Sequence, residues 1–178
     1  MTGRQITSMV GAESLRLGTG NVVVKRGGLA DVGDIARFQT RAWQLAYQGM
    51  LRPGYLESLS ATDAEDEWRG YIESGTRQIV LARASDELVG VASWGPADVP
   101  AEGVPDLELK SIYLAPSVQG TGLAALLLEK ALERQSAHLW MFDGNARADA
   151  FYRKNGFAPD GGRLLDEAAG AWELRYVR

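Results

Sequence analysis

The chain has no cysteine and a single histidine. Without cysteine there is no disulfide, no thiolate metal site and no cysteinyl acyl-enzyme. One histidine is too few for a multi-histidine metal site and argues against a hydrolase triad. His138 heads the apolar run His138-Leu139-Trp140-Met141-Phe142, where it reads as the first residue of a strand with no part in chemistry. No apolar run reaches the roughly 18 residues that a membrane-spanning helix needs. The N-terminus lacks the apolar centre of a signal peptide. Basic residues form no long run and the net charge is −4, so a nucleic-acid surface is not expected. These absences predict a cytoplasmic globular protein with no metal, no nucleic acid and no membrane partner.

At 178 residues the chain fits one domain. Residues 1–21 hold no sustained period and read as a mobile tail; the domain is expected over residues 22–178. Val22-Val23-Val24 is a short strand, broken at Gly27-Gly28. Asp31 is expected to cap the next helix by accepting its free N–H groups, with Ile35, Phe38, Ala42 and Leu45 at helical spacing. That helix should end near Gly49. Pro53 permits a short helical start, and residues 62–72 read as a further helix. Then the period changes. Residues 78–82 and 88–94 read as a hairpin, residues 107–114 as a strand, 120–135 as a helix, 138–142 as a strand and 145–154 as a helix. Asn155-Gly156 should close that helix with a left-handed residue. Asp160-Gly161-Gly162 reads as a turn and residues 171–177 as a closing strand. Hairpins and strand–helix–strand units together predict an α/β (α+β) fold, a mixed sheet with helices on its faces.

The densest signal is the turn after residues 107–114. Gly120 and Gly122 let the backbone approach a ligand closely. The helix that starts there aims unpaired N–H groups and its positive dipole end at one spot, a site for phosphate or pyrophosphate. The lysine of a P-loop is missing, which disfavours a nucleoside triphosphatase. Gly120-Thr121-Gly122-Leu123-Ala124-Ala125 also fits the dinucleotide fingerprint, with Asp143 about where a ribose-binding acid would stand. Residues 115–119 separate Leu114 from the first glycine, however, and too little chain follows Asp143 to complete the mononucleotide units. A helix start that merely needs glycine is the third reading.

Two blocks resemble a known family, the GNAT superfamily of N-acetyltransferases. Gln119-Gly120-Thr121-Gly122-Leu123-Ala124 is similar to its pyrophosphate loop, Gln/Arg-x-x-Gly-x-Gly/Ala. Asn145-x-x-Ala148-x-x-Phe151-Tyr152-x-Lys154-x-Gly156-Phe157 resembles its second conserved segment with the spacing intact. Arg41-Ala-Trp43-x-x-Ala46-Tyr47-x-Gly49 is similar to a stretch found in one of its subgroups. The resemblance covers residues 22–178. It implies a mostly antiparallel mixed sheet in which a parallel strand pair, 107–114 and 138–142, splays apart to bind acyl-CoA. It implies acetyl-CoA as cosubstrate. The amides of Gln119, Gly120, Thr121, Gly122, Leu123, Ala124 and Ala125 would hold the pyrophosphate. Backbone groups along Ile112, Tyr113 and Leu114, above all those of Ile112 and Leu114, would hold the pantetheine arm, and Asn145 would touch that arm. Family members are often dimers, so a homodimer is allowed.

Amine acetylation needs a neutral amine and a proton for the departing thiolate. By resemblance Tyr152 lies beside the thioester sulfur, and a phenol can protonate or hydrogen-bond the sulfur; the plainer reading packs it against Phe151. Glu108 stands four residues before Ile112, so regular alternation puts both on one strand face. It would serve there as base or as a binding charge for a cationic substrate. Some relatives carry a glutamate where this chain has Trp140, which leaves Glu108 as the candidate, with Asp106, Glu102 and Asp143 as loop-acid alternatives. Trp43 and Tyr47 share a helix face, lining the acceptor pocket or packing in the core, and Trp94 ends a strand near the cleft. The expected activity is acetyl transfer to a primary amine of a small molecule or peptide by direct attack in a ternary complex. A non-catalytic acyl-CoA sensor and an NAD(P)-dependent oxidoreductase are the competing functions.

Overall fold

The computed structural model describes residues 6–9, 12–17 and 20–178. Among these, nine strands form one sheet: β1 (Ile6–Met9), β2 (Ala12–Leu17), β3 (Gly20–Arg26), β4 (Gln78–Ala84), β5 (Glu87–Pro96), β6 (Leu107–Leu114), β7 (His138–Phe142), β8 (Ala158–Asp166) and β9 (Ala171–Val177). Their order across the sheet is β1-β2-β3-β4-β5-β6-β7-β9-β8. Every pairing is antiparallel except β6 with β7. Five α-helices accompany the described strands: α1 (Val32–Ala46), α2 (Tyr55–Ser58), α3 (Ala61–Glu73), α4 (Leu123–Leu132) and α5 (Ala146–Lys154). No helix among the described residues is long and apolar enough to cross a membrane.

The sheet separates two cores. On one face α4 and α5 bury Leu123, Leu127, Leu132, Tyr152 and Phe157 against Val80, Ala92, Leu109, Leu139 and Met141. Leu123, Leu127 and Leu132 are wholly buried, worth about 1.5–3 kcal/mol each. On the other face α1 and α3 pack Val32, Ile35, Ala36 and Trp68 over Ile79, Leu81, Leu88 and Val91. Leu45, expected on that buried stripe, is 54% exposed. The last turn of α1 overhangs the sheet and turns Trp43 inward instead.

Most local signals hold, and the departures have physical causes. Asp31 does not cap α1. It falls in a single 3-10 turn and already has helical backbone angles. Its carboxylate pairs with Arg83 at 3.1 Å and accepts from Gly28 N at 3.3 Å. The α4 helix is shorter than expected at both ends. Gly120 and Gly122 are left-handed and precede it, and Glu133 and Arg134 are left-handed and end it. Asp160-Gly161-Gly162 is not a turn between elements but an irregularity inside β8, where the register with β9 steps from Pro159 to Arg163. No element was expected before Val22, yet β1 and β2 extend the sheet from β3, which itself starts at Gly20. Residues 1–5, 10–11 and 18–19 of the expected tail lie outside the described residues. Gly156 closes α5 as anticipated, at φ +88. Phe157 N donates to Tyr152 O and Gly156 N to Arg153 O, both near 3 Å, the paired bonds of a Schellman end.

Candidate active site

The strands β6 and β7 pair only at Glu108↔His138 and Leu109↔Leu139, then part. Beyond that point the edge of β6 is open. Ala115 N donates to Val89 O, in line with the pairs Tyr113↔Val91 and Ser111↔Ser93. Because successive residues of an antiparallel ladder point to opposite edges, Ala115, Tyr113 and Ser111 turn their backbone groups to β5. Ile112 and Leu114 therefore turn theirs into the gap, as the sequence reading chose. Tyr113, named with them, presents only its side chain to the site. Gln119 folds back, its Nε2 donating to Leu114 O at 3.2 Å.

The glycine turn lies at the end of this gap. Gly120 has φ +77 with open space where a Cβ would stand, and Gly122 has φ +89. The first helical bond of α4 is Leu126 N to Gly122 O. The amides of Leu123, Ala124 and Ala125 thus have no acceptor within the helix. Thr121 spends its hydroxyl on Val118 O at 2.6 Å, which braces the turn. Leu123 is buried as a side chain, so only its N–H is available to a ligand. Asn145 commits its Oδ1 to Ala148 N at 3.1 Å, as the cap of α5. Its NH2 group is what remains for a ligand.

Tyr152 projects from α5 into the sheet, ringed by Phe151, Phe157 and Tyr176. Burial first, then the nearby Tyr47, pushes its hydroxyl well above the ordinary tyrosine value. Tyr47 directly follows α1, on the other side of the sheet. The Tyr152 hydroxyl is therefore protonated at neutral pH. Burial likewise raises Tyr113, with further contributions from Tyr47 and Tyr152.

The α1 side of the gap is an aromatic cleft. The Trp43 ring is 5.1 Å from Tyr47, 5.9 Å from Phe142 and 6.4 Å from Tyr55. Tyr47 is 5.1 Å from Phe142, and its hydroxyl is 3.3 Å from that of Tyr113. Trp43 and Tyr47 are half-buried. Arg52 N bonds Ala169 O at 2.9 Å, which ties the α1–α2 connection to the β8–β9 turn and walls the far side.

Glu108 does not take the face that its spacing implied. The β5–β6 register steps from Ser93↔Ser111 to Trp94↔Leu109, leaving Lys110 as the extra residue of a bulge. Leu109 and Ile112 consequently share the α4 face, and Glu108 faces the other way, opposite His138. Its Oε2 accepts from Lys110 Nζ at 2.7 Å and from Asp98 N at 3.2 Å, and His138 Nε2 is 3.5 Å away. His138 is not idle, since its Nδ1 lies 2.7 Å from Pro105 O. Trp94 does not join Trp43 and Tyr47. It is 5% exposed in the α4 core, with the Arg26 guanidinium 4.8 Å over its ring. The same parity argument explains this, because Trp94 faces the side of Leu109.

One residue of the cleft escaped the sequence reading. Glu173 on β9 stands directly opposite Phe142. Burial, reinforced by Asp166 and Glu108, pushes its carboxyl up to about 7. Alternation along residues 171–177 signalled the strand but not what faces it.

Residues 41–157 match the family model for the acetyltransferase (GNAT) family. The uncharacterized N-acetyltransferase YuaI of Bacillus subtilis is 31% identical over 130 residues, 70% of this chain and 73% of that protein. An uncharacterized N-acetyltransferase of Mycobacterium tuberculosis is 30% identical over 144 residues, 77% of this chain and 89% of that one. The crystal structure of PaiA N-acetyltransferase from Thermoplasma acidophilum, in complex with coenzyme A, aligns with a TM-score of 0.64. It is 19% identical and covers 86% of this chain and 97% of its own. At that identity the likeness speaks for the fold.

Proposed function

The chain belongs to the GNAT acetyltransferase family, and from that premise we propose that it transfers an acetyl group from acetyl-CoA to a primary amine of a small molecule or peptide, by direct attack in a ternary complex. One observation carries the reading. The open edge of β6 leads from an anion-binding turn at Gly120–Gly122 to a buried phenol, Tyr152, with an aromatic and acidic cleft on the far side of the sheet.

Each part has a task. The free amides of Leu123, Ala124 and Ala125 and the left-handed Gly120 and Gly122 suit a pyrophosphate. Backbone groups of Ile112 and Leu114 suit an extended amide-bearing arm, as in the addition of a strand to a sheet edge. Acetyl-CoA supplies the activated acyl group as a thioester. Tyr152, held protonated by burial, gives its proton to the sulfur as the thiol leaves. Trp43, Tyr47, Tyr55 and Phe142 exclude water around the amine. Two roles were open to Glu108, proton acceptor or binding charge. Its Oε2 is already held by Lys110 Nζ and Asp98 N, which leaves the proton-acceptor role to another group.

Release of free CoA thiol across a panel of primary amines tests the function. We expect turnover with at least one amine, and a fall of about 10²-fold or more in kcat for Tyr152→Phe with acetyl-CoA affinity retained. Tight CoA binding without turnover on any amine would instead mark a sensor.

A further inference from the structure

We propose that Glu173 is the general base of this transfer, the carboxylate that binds the acceptor's ammonium and takes its proton. The assignment rests on the acetyl-transfer reading above and adds the residue that reading lacks.

Position comes first. Directly opposite residues of an antiparallel pair share a face, so Glu173 lies on the face of Phe142. That ring touches Trp43 and Tyr47, which puts Glu173 inside the aromatic cleft. It influences the Tyr47 hydroxyl, and Tyr47 in turn influences Tyr152.

Availability comes second. Glu108 is bound to Lys110 and Asp98 N. Asp166 spends Oδ1 on Ala169 N at 2.8 Å. Among the described residues the Glu173 carboxylate has no hydrogen bond and no cation partner. The groups facing it are Tyr47 from α1, Tyr55 from α2, Glu108 from β6 and Asp166 from β8. On its own strand the nearest cation, Arg175, is turned to Asp160 and to the Trp140 ring. A half-buried carboxylate among aromatic rings and two further carboxylates is completed by a cation. A primary ammonium suits that place, through the charge and the ring faces together.

The chemistry balances. The ammonium N–H bond breaks and an O–H bond forms on Glu173. The freed nitrogen pair forms the C–N bond as the C–S bond breaks. The sulfur pair takes the proton of Tyr152, and the second proton shed by nitrogen restores Tyr152. Glu173 returns its proton to solvent, one per turnover. A base that titrates near 7 is matched to this exchange at neutral pH.

The test compares two probe amines, n-butylamine, which is cationic at pH 7, and 2,2,2-trifluoroethylamine, which is largely neutral there. For Glu173→Gln we expect kcat/KM with butylamine to fall about 10²-fold or more. The rise of activity through pH 7 should vanish, and the loss with trifluoroethylamine should be much smaller. Glu173→Asp, which keeps the carboxylate, should retain the rise. An equal loss with both amines, or an unchanged pH profile, overturns the assignment while leaving transfer intact. No turnover by the native chain on these or any other amine overturns the transfer reading itself. A readout independent of turnover is carboxyl NMR, where one glutamate should titrate near 7 and be missing from Glu173→Gln. Ordinary titration of every glutamate overturns the proposal.

Discussion

The hydroxyl oxygens of Tyr47, next to the end of α1, and Tyr113, on β6, lie 3.3 Å apart. This contact fastens the end of the helix on one face of the sheet to the strand whose other edge is open. Trp43 and Phe142 close around the same pair.

Tyr47→Phe and Tyr113→Phe should each cost about 0.5–1.5 kcal/mol of stability, the net worth of one hydrogen bond. The double variant should cost little more than either single one, since both remove the same bond. Urea unfolding of the four proteins measures the cycle; additive losses would show that the hydroxyls act separately.

Lys110 is 2% exposed in its side chain and pairs with both Glu108 and Asp98. Lys110→Met strands the nearly buried Glu108 carboxylate and should cost about 3–5 kcal/mol. Adding Glu108→Gln should recover a large part of that loss, because no uncompensated charge then remains. Chemical denaturation of the single and double variants decides it.

Gly95 lies on β5, where a Cβ would overlap the backbone carbonyl oxygen of Thr76. Backbone cannot swing aside as a side chain can. Gly95→Ala should therefore destabilise by about 1–3 kcal/mol, whereas Gly28→Ala, with open space around it, should change stability far less. Thermal unfolding of the two variants side by side tests the contrast.

Glu173 sets a pH dependence of stability with a definite sign. Its carboxyl is raised by burial from 4.5 to about 7. Between those values the folded protein binds more protons than the unfolded chain, so this group's contribution falls as pH rises through the window. Glu173→Gln should then gain in Tm relative to the native chain between pH 5 and pH 8. A constant difference across that range would mean the carboxyl is not raised.

The sequence by itself determined the features written in short stretches of chain. The left-handed close at Gly156, the glycine turn at Gly120 and Gly122, the bounds of β6, β7 and β9, and the aromatic pair at the end of α1 all follow from local sterics and periodicity. The two motif blocks pointed to a candidate phosphate site for the same reason, since a turn and a helix start present free amides of their own backbone. Only the tertiary structure decided which face each strand residue takes and what surrounds it. One extra residue, Lys110, resets the alternation of β6, so Glu108 ends not on the face of Ile112, where spacing alone put it, but on the opposite one. β8 and the pairing of β1 and β2 were likewise out of reach, because strand pairing is stabilised by a neighbour distant in the chain. Glu173 is the sharpest case. Its raised pKa comes from burial first and then from Asp166 and Glu108, groups carried by other elements, and no local pattern in residues 171–177 encodes them.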